Sequence, residues 1–182
     1  MPELASPKPD LVYALRRVTE HAACAAFAWI GRGNKEQGDM AAVTAMRRAL
    51  ADIELDGTVV IGEGARMDAP AFGSGERVGC PDAPFKADLA VDPIEGTSYL
   101  AKGLTNALAV LAASPRGTML DPGPAFYMEK FVAPPAAKGK IDPTWPTNRK
   151  LHALAKFLRK DVDQLTVFVL EKPRHRRQRL KI

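Results

Sequence analysis

The sequence predicts an α+β fold, a layered αβ sandwich rather than a doubly wound dinucleotide fold. Three observations carry that expectation. Two helical periodicities open the chain, short β-rich runs follow them, and no clean strand leads into a dinucleotide-type glycine fingerprint. Residues 1–9 (MPELASPKP) are a Pro-rich, flexible lead-in. Asp10 then caps a helix whose apolar residues Leu11, Leu15, Val18, Ala22, Ala25 and Trp29 follow a three-four rhythm, with Gly31 as its stop. After the loop RGNKEQG, a second helix runs from Asp39 to Ile53 with Ala42, Met46, Leu50 and Ile53 on one face. Asp56-Gly57 turns the chain into a strand, TVVI, that ends at Gly62-Glu63-Gly64.

Residues 65–85 are rich in Gly and Pro and read as loop with one short strand. A further strand, Ala87–Val91, ends on Asp92-Pro93, where the proline turns the chain. Leu104–Ala113 suits helix or strand by pattern, and the following Ser-Pro-Arg-Gly turn favours a buried strand. Strands are also expected at Tyr127–Val132 and 165–170 (LTVFVL), with a Pro-rich connection and a helix, Asn148–Lys160, between them.

Composition narrows the function classes. The net charge is +5, but residues 172–182 hold six Lys or Arg and no acid, which leaves 20 basic against 21 acidic residues in 1–171. A basic end of this kind is ordinarily a solvated tail, so neither nucleic acid nor membrane is an expected partner. Cys24 and Cys80 make no disulfide framework, and Cys24 reads as a small core residue, which fits a reducing compartment. Ala22–Ile30 is too short to span a bilayer, which needs roughly 20 residues, and Thr19, Glu20 and His21 interrupt it as a signal-peptide core; the expected location is cytoplasmic. There is no phosphate-binding P-loop, Gly73–Gly79 is one residue too long for a dinucleotide fingerprint, and His21, His152 and His175 sit in no nucleophile context.

Acids at element ends stand out: Asp39, Glu63, Asp92 and Glu95. Singly, Asp39 reads equally as a helix cap, Glu63 as a solvated loop acid and Asp92 as a turn starter. Together, carboxylates projecting from strand ends into one cleft are how proteins hold Mg²⁺ or Mn²⁺, with the Ile94 carbonyl and the Thr97 hydroxyl as further oxygen donors. Metal-assisted phosphoryl chemistry is the reaction class this suggests.

RVTEHAACAAFAWIGRGNK, MAAVTAMR, DGTVVIGEG, AVDPIEGT, NALAVLA, YMEK and LEKPRH run in order from Arg17 to His175. In them the chain resembles the class II fructose-1,6-bisphosphatases, within the lithium-sensitive, metal-dependent sugar and inositol phosphatase superfamily. The resemblance implies an αβαβα arrangement in full-length members, of which this chain supplies the first domain. It implies residues 10–171 as the metal-binding domain and 172–182 as a basic tail, with the second domain missing. It also implies Mn²⁺ or Mg²⁺ on Asp39, Glu63, Asp92 and Glu95. By resemblance Thr97 orients the attacking water, Lys35 lies near the reacting phosphate, and Tyr127, Lys172 and Arg174 contact the sugar bisphosphate. The implied reaction is removal of the 1-phosphate of fructose 1,6-bisphosphate, and in some relatives cleavage of sedoheptulose 1,7-bisphosphate.

One local departure stands beside this match. The family carries an Asp tied to water activation where this chain has Met67, and Asp68 is the adjacent substitute. The rival expectation is therefore a catalytically impaired, truncated homologue that binds metal or associates with a full-length relative. An apolar LTVFVL strand without a neighbouring layer leads to the expectation of a homo-oligomer.

Overall fold

The computed structural model describes residues 9–64, 71–123, 125 and 128–170. The chain divides into two compact units, Met1–Pro124 and Ala125–Ile182.

In the first unit the helices are α1 (Pro9–Phe27), α2 (Lys35–Ala51) and the short α3 (Thr97–Lys102), and the strands are β1 (Asp56–Ile61), β2 (Arg77–Gly79), β3 (Lys86–Glu95) and β4 (Leu108–Pro115). The strands form one mixed sheet in the order β2-β1-β3-β4. β1 and β3 are parallel, while β2 and β4 flank them antiparallel. This is an α+β fold.

The core forms where α1 and α2 pack against each other and against the sheet. Val18, Ala22 and Ala26 of α1 meet Ala42, Val43, Met46 and Leu50 of α2 over Val59, Ala87, Leu89 and Val91 of the central strands. The expected helical rhythm is present, with its buried row on Ala26 rather than Ala25. Cys24 is exposed rather than a core residue, because the buried stripe passes through Ala22 and Ala26.

Several boundaries differ from the sequence expectation. α1 begins at Pro9, with Asp10 inside it rather than capping it, and ends at Phe27, short of Trp29. α2 starts at Lys35, capped by Asn34, whose side chain accepts the Gln37 amide at 3.1 Å, so Asp39 lies within the helix and is not its cap. β3 does not stop at Val91: it runs through Asp92-Pro93 to Glu95, and Pro93 sits at a register shift where a missing N–H removes no ladder bond. β4 is the strand expected within Leu104–Ala113, but it begins at Leu108 and is an edge strand, with Leu108 57% and Val110 42% exposed. Thr97–Lys102 is helical where no helix was expected.

A buried polar network ties the strand ends opposite that register shift. Asp56 is only 3% exposed and pairs with Arg77 and Arg116, and the Arg116 Nη2 also donates to the Asp56 carbonyl at 2.6 Å. Asp88, likewise 3% exposed, accepts the backbone amides of Gly117, Thr118 and Met119 at 2.6, 3.0 and 3.2 Å. Arg116 Nε lies 3.5 Å from it. Burial alone pushes the Asp56 carboxyl up, yet the two guanidiniums outweigh that and leave it below the ordinary range.

In the second unit α4 (Thr147–Leu158) buries Leu151 and Ala155 and packs with one-turn 3-10 helices at Pro135–Ala137 and Val162–Gln164. Residues 128–132 and 165–170, expected as strands, are irregular: a strand exists only through a ladder partner, and none pairs with them among the described residues. No helix among the described residues is long and apolar enough to cross a membrane.

Replacing Asp88 with Ala would strand three backbone amides and leave Arg116 with Asp56 as its one acid partner. Chemical denaturation is expected to show a loss on the order of 3 kcal/mol; a loss under about 1 kcal/mol would show that the network does not hold the sheet.

Candidate functional site

Parallel strands end on the same side of a sheet, so whatever follows β1 and β3 shares one edge. Gly62-Glu63-Gly64 follows β1, and β3 closes with Asp92 to Glu95. On β3, Asp92 pairs with Val110 and Glu95 with Leu108, so three steps on one strand match two on the other. That extra residue is a β-bulge. Residues three apart in a regular strand point to opposite faces; the bulge cancels the alternation and brings the Asp92 and Glu95 carboxyl groups within reach of each other's charge.

Asp39 arrives from α2, 8% exposed, on the helix that packs against both β3 and α3. Gly38 permits this approach: a Cβ there would lie 2.6 Å from Leu100 Cδ2 and 3.2 Å from Trp29 Cβ. Two backbone bonds fasten the α1–α2 turn to α3, Gly31 N–H to the Leu100 carbonyl at 2.9 Å and Gly33 N–H to the Ala101 carbonyl at 2.8 Å. Glu63 is set by the loop behind it. Gly64 N–H donates to the Phe72 carbonyl at 2.8 Å, and a side chain at Gly62 would run into that same oxygen.

Asp92 lies within electrostatic reach of the other three acids, and Asp39 within reach of Glu63. Asp92 is pushed up to about 7, first by burial and then by the charges of Glu63, Glu95 and Asp39. Asp39 is raised by burial and by Glu63. Asp92 Oδ1 is buried and makes no hydrogen bond. Like charges gathered at a partly buried edge, with an acceptor left over, suit a hard divalent cation, and the donors are all oxygen. As the side chains stand, no three His, Cys, Asp or Glu among the described residues are arranged to hold a metal ion. The donor chemistry therefore fits, while the carboxylates are gathered without being closed on one point.

Lys35 is the first residue of α2, one turn before Asp39, and Thr97 the first of α3, two residues past Glu95. No hydrogen bond or ion pair among the described residues joins either to the four acids. Asp68, Tyr127, Lys172 and Arg174 lie outside the described residues. Sequence reasoning missed what builds this edge: the bulge at Pro93, the helix α3 and the close approach at Gly38. The one legible signal was the pair of acids three residues apart around a proline, a spacing that a regular strand cannot bring together.

A family model described as bacterial fructose-1,6-bisphosphatase, glpX-encoded, matches residues 9–180. Among curated proteins, fructose-1,6-bisphosphatase 1 class 2 of Escherichia coli K12 is 48% identical over 166 residues, covering 91% of this chain and 49% of the relative. The class 2 fructose-1,6-bisphosphatases of Escherichia coli O6:H1 and Shigella flexneri match with the same 48% identity and the same coverage. The chain spans about half the length of these curated relatives.

The raised Asp92 carboxyl has a consequence for stability. In the unfolded chain it titrates near about 3.9, whereas in the folded chain it holds its proton to about 7. Between those values the folded state binds more protons, so stability falls as pH rises through the window and stays lower above it. The thermal midpoint of the cation-free chain is expected to be higher at pH 5 than at pH 8, and Asp92→Asn is expected to flatten the difference. A wild-type midpoint that climbs toward pH 8 would contradict this placement.

Proposed function

The chain belongs to the family of bacterial, glpX-encoded fructose-1,6-bisphosphatases, and we propose that it hydrolyses the 1-phosphate of fructose 1,6-bisphosphate with a divalent cation held by Asp39, Glu63, Asp92 and Glu95. One observation carries the cation site: the half-buried Asp92 is acted on by three other acids, and its buried Oδ1 has no partner. Closing the set on one ion falls to Glu63 and Glu95, the acids with the longer side chains. Mn²⁺ and Mg²⁺ both suit oxygen donors, Mg²⁺ taking one or two of the carboxylates directly and keeping waters that a phosphate can displace.

When bound, such a cation neutralises phosphate charge and lowers the pKa of a coordinated water. The chain's own groups do the rest. The Thr97 hydroxyl, at the start of α3, orients the attacking water, and the Lys35 ammonium offsets charge on the reacting phosphoryl group. Asp68 takes the proton of the water. Water oxygen bonds to phosphorus as the bond from phosphorus to the C1 oxygen breaks; that oxygen gains a proton and inorganic phosphate leaves. Tyr127, Lys172 and Arg174 hold the sugar bisphosphate, the guanidinium as a planar fork and the ammonium as a point charge. Sedoheptulose 1,7-bisphosphate is a second substrate in this reading. A cytoplasmic homo-oligomer belongs to it too, supported by the exposed Leu108 and Val110 on the edge strand.

Met67 favours a second reading, in which the chain binds the cation without turning over substrate, because a thioether cannot accept the proton of a water. Calorimetric titration with Mn²⁺ and Mg²⁺, beside phosphate release from fructose 1,6-bisphosphate, separates the two. Binding with release that Asp92→Asn returns to the metal-free blank supports hydrolysis. Binding without release selects the second reading, and absence of both overturns the cation site.

A further inference from the structure

Arg47 is not among the acids or phosphate contacts assigned above, yet from α2 it grips the loop that backs Glu63. It lies on α2, eight residues after Asp39, about 12 Å along the axis at 1.5 Å per residue. Its guanidinium ion-pairs with Glu76 and lies 4.7 Å from the centroid of the Phe72 ring, which is fully buried. The other Glu76 oxygen accepts the Gly73 amide at 3.1 Å. So Arg47 grips the segment Phe72–Glu76 at its aromatic ring and, through Glu76, at its backbone.

The opposite side of that segment is bonded to β1 and to the turn holding Glu63. The Phe72 carbonyl accepts Gly64 N–H at 2.8 Å, and Gly75 N–H donates to the Val59 carbonyl at 2.8 Å. Val59 N–H returns a bond to the Glu76 carbonyl at 2.9 Å, and Ser74 Oγ reaches the Val60 carbonyl at 3.2 Å. Two ends of one helix thus control two acids: Asp39 directly, and Glu63 through Arg47, the loop and Gly64. The charge of Glu63 also acts on Asp39.

We infer that Arg47 is a positioning residue: by clamping the Phe72–Glu76 loop to α2 it sets Glu63 against Asp39, and so sets cation affinity without touching the cation. This rests on the cation site proposed above. A guanidinium suits the task because its planar fork can pair with a carboxylate while its face stacks on a ring. Lysine keeps the charge but neither the fork nor the stacking.

The test is the dissociation constant for Mn²⁺, measured by calorimetry without substrate, on wild type and on Arg47→Met, Arg47→Lys and Glu76→Gln. Partners that orient a ligand without touching the metal typically govern 10–100-fold in affinity. Arg47→Met and Glu76→Gln are expected to weaken binding by about 10-fold or more, and Arg47→Lys to recover part of it. Amide hydrogen exchange at Gly64, Gly73 and Gly75 is expected to quicken in the same order. Should Arg47→Met fail to fold, Arg47→Lys and Glu76→Gln carry the comparison. Folded variants that bind Mn²⁺ within twofold of wild type, with a loosened loop, would overturn the positioning role alone. A wild type that binds no Mn²⁺ would overturn the cation site and this inference with it.

Discussion

The parallel pairing of β1 with β3 is the constraint on which the rest of the first unit depends. Antiparallel neighbours would have sent the residues after β1 and those after β3 to opposite edges; parallel ones deliver Glu63 and Asp92 to the same edge. Such a pair needs a long crossover, and residues 62–85 supply it, laying β2 on the far side of β1 on the way. Both strands are buried where they meet the helices, which is why Val59, Leu89 and Val91 read as apolar positions. α2 then completes the arrangement by bringing Asp39 down onto the edge the strands define.

The two ends of this strand pair treat the same chemical group in opposite ways. At one end Asp56 and Asp88 are almost fully buried, and each is matched by guanidinium charge, by backbone amides or by both. At the other end Asp39 and Asp92 are surrounded by further acids, and Asp92 Oδ1 has no donor at all. Opposite charges attract at the first end, whereas at the second like charges oppose one another and raise the Asp92 carboxyl. A fold that satisfies its acids so fully in one place and leaves them opposed in another has a use for the opposition, and an added positive charge is what relieves it.

Much of the framework was legible in the residues. The three-four rhythm of Leu11, Leu15 and Val18, and that of Ala42, Met46 and Leu50, marked two helices, because helical period is a local property of the chain. The acids were legible as candidates, since a carboxylate beside Gly or Pro at an element end has few stabilising reasons to be there. Asp39 resembles a cap in the sequence but is none, because the Asn34 cap lies five residues upstream, in a loop whose course depends on bonds to α3. Residues 128–132 and 165–170 carry strand-like composition, but β structure is made by partners, and composition holds no record of whether a partner pairs.

What the sequence by itself determined is the inventory: helices before strands, four acids at their ends, and a set of motifs that resemble one phosphatase family. What only the tertiary structure decided is how those acids meet. A bulge at Pro93 turns Asp92 and Glu95 toward each other, an absent side chain at Gly38 lets α2 close on α3, and Arg47 fastens the loop behind Glu63. Each of these joins residues distant in the chain or reverses a local alternation. The physical reason is that a side chain's type is written at one position, whereas its field and its neighbours come from segments that only folding brings together.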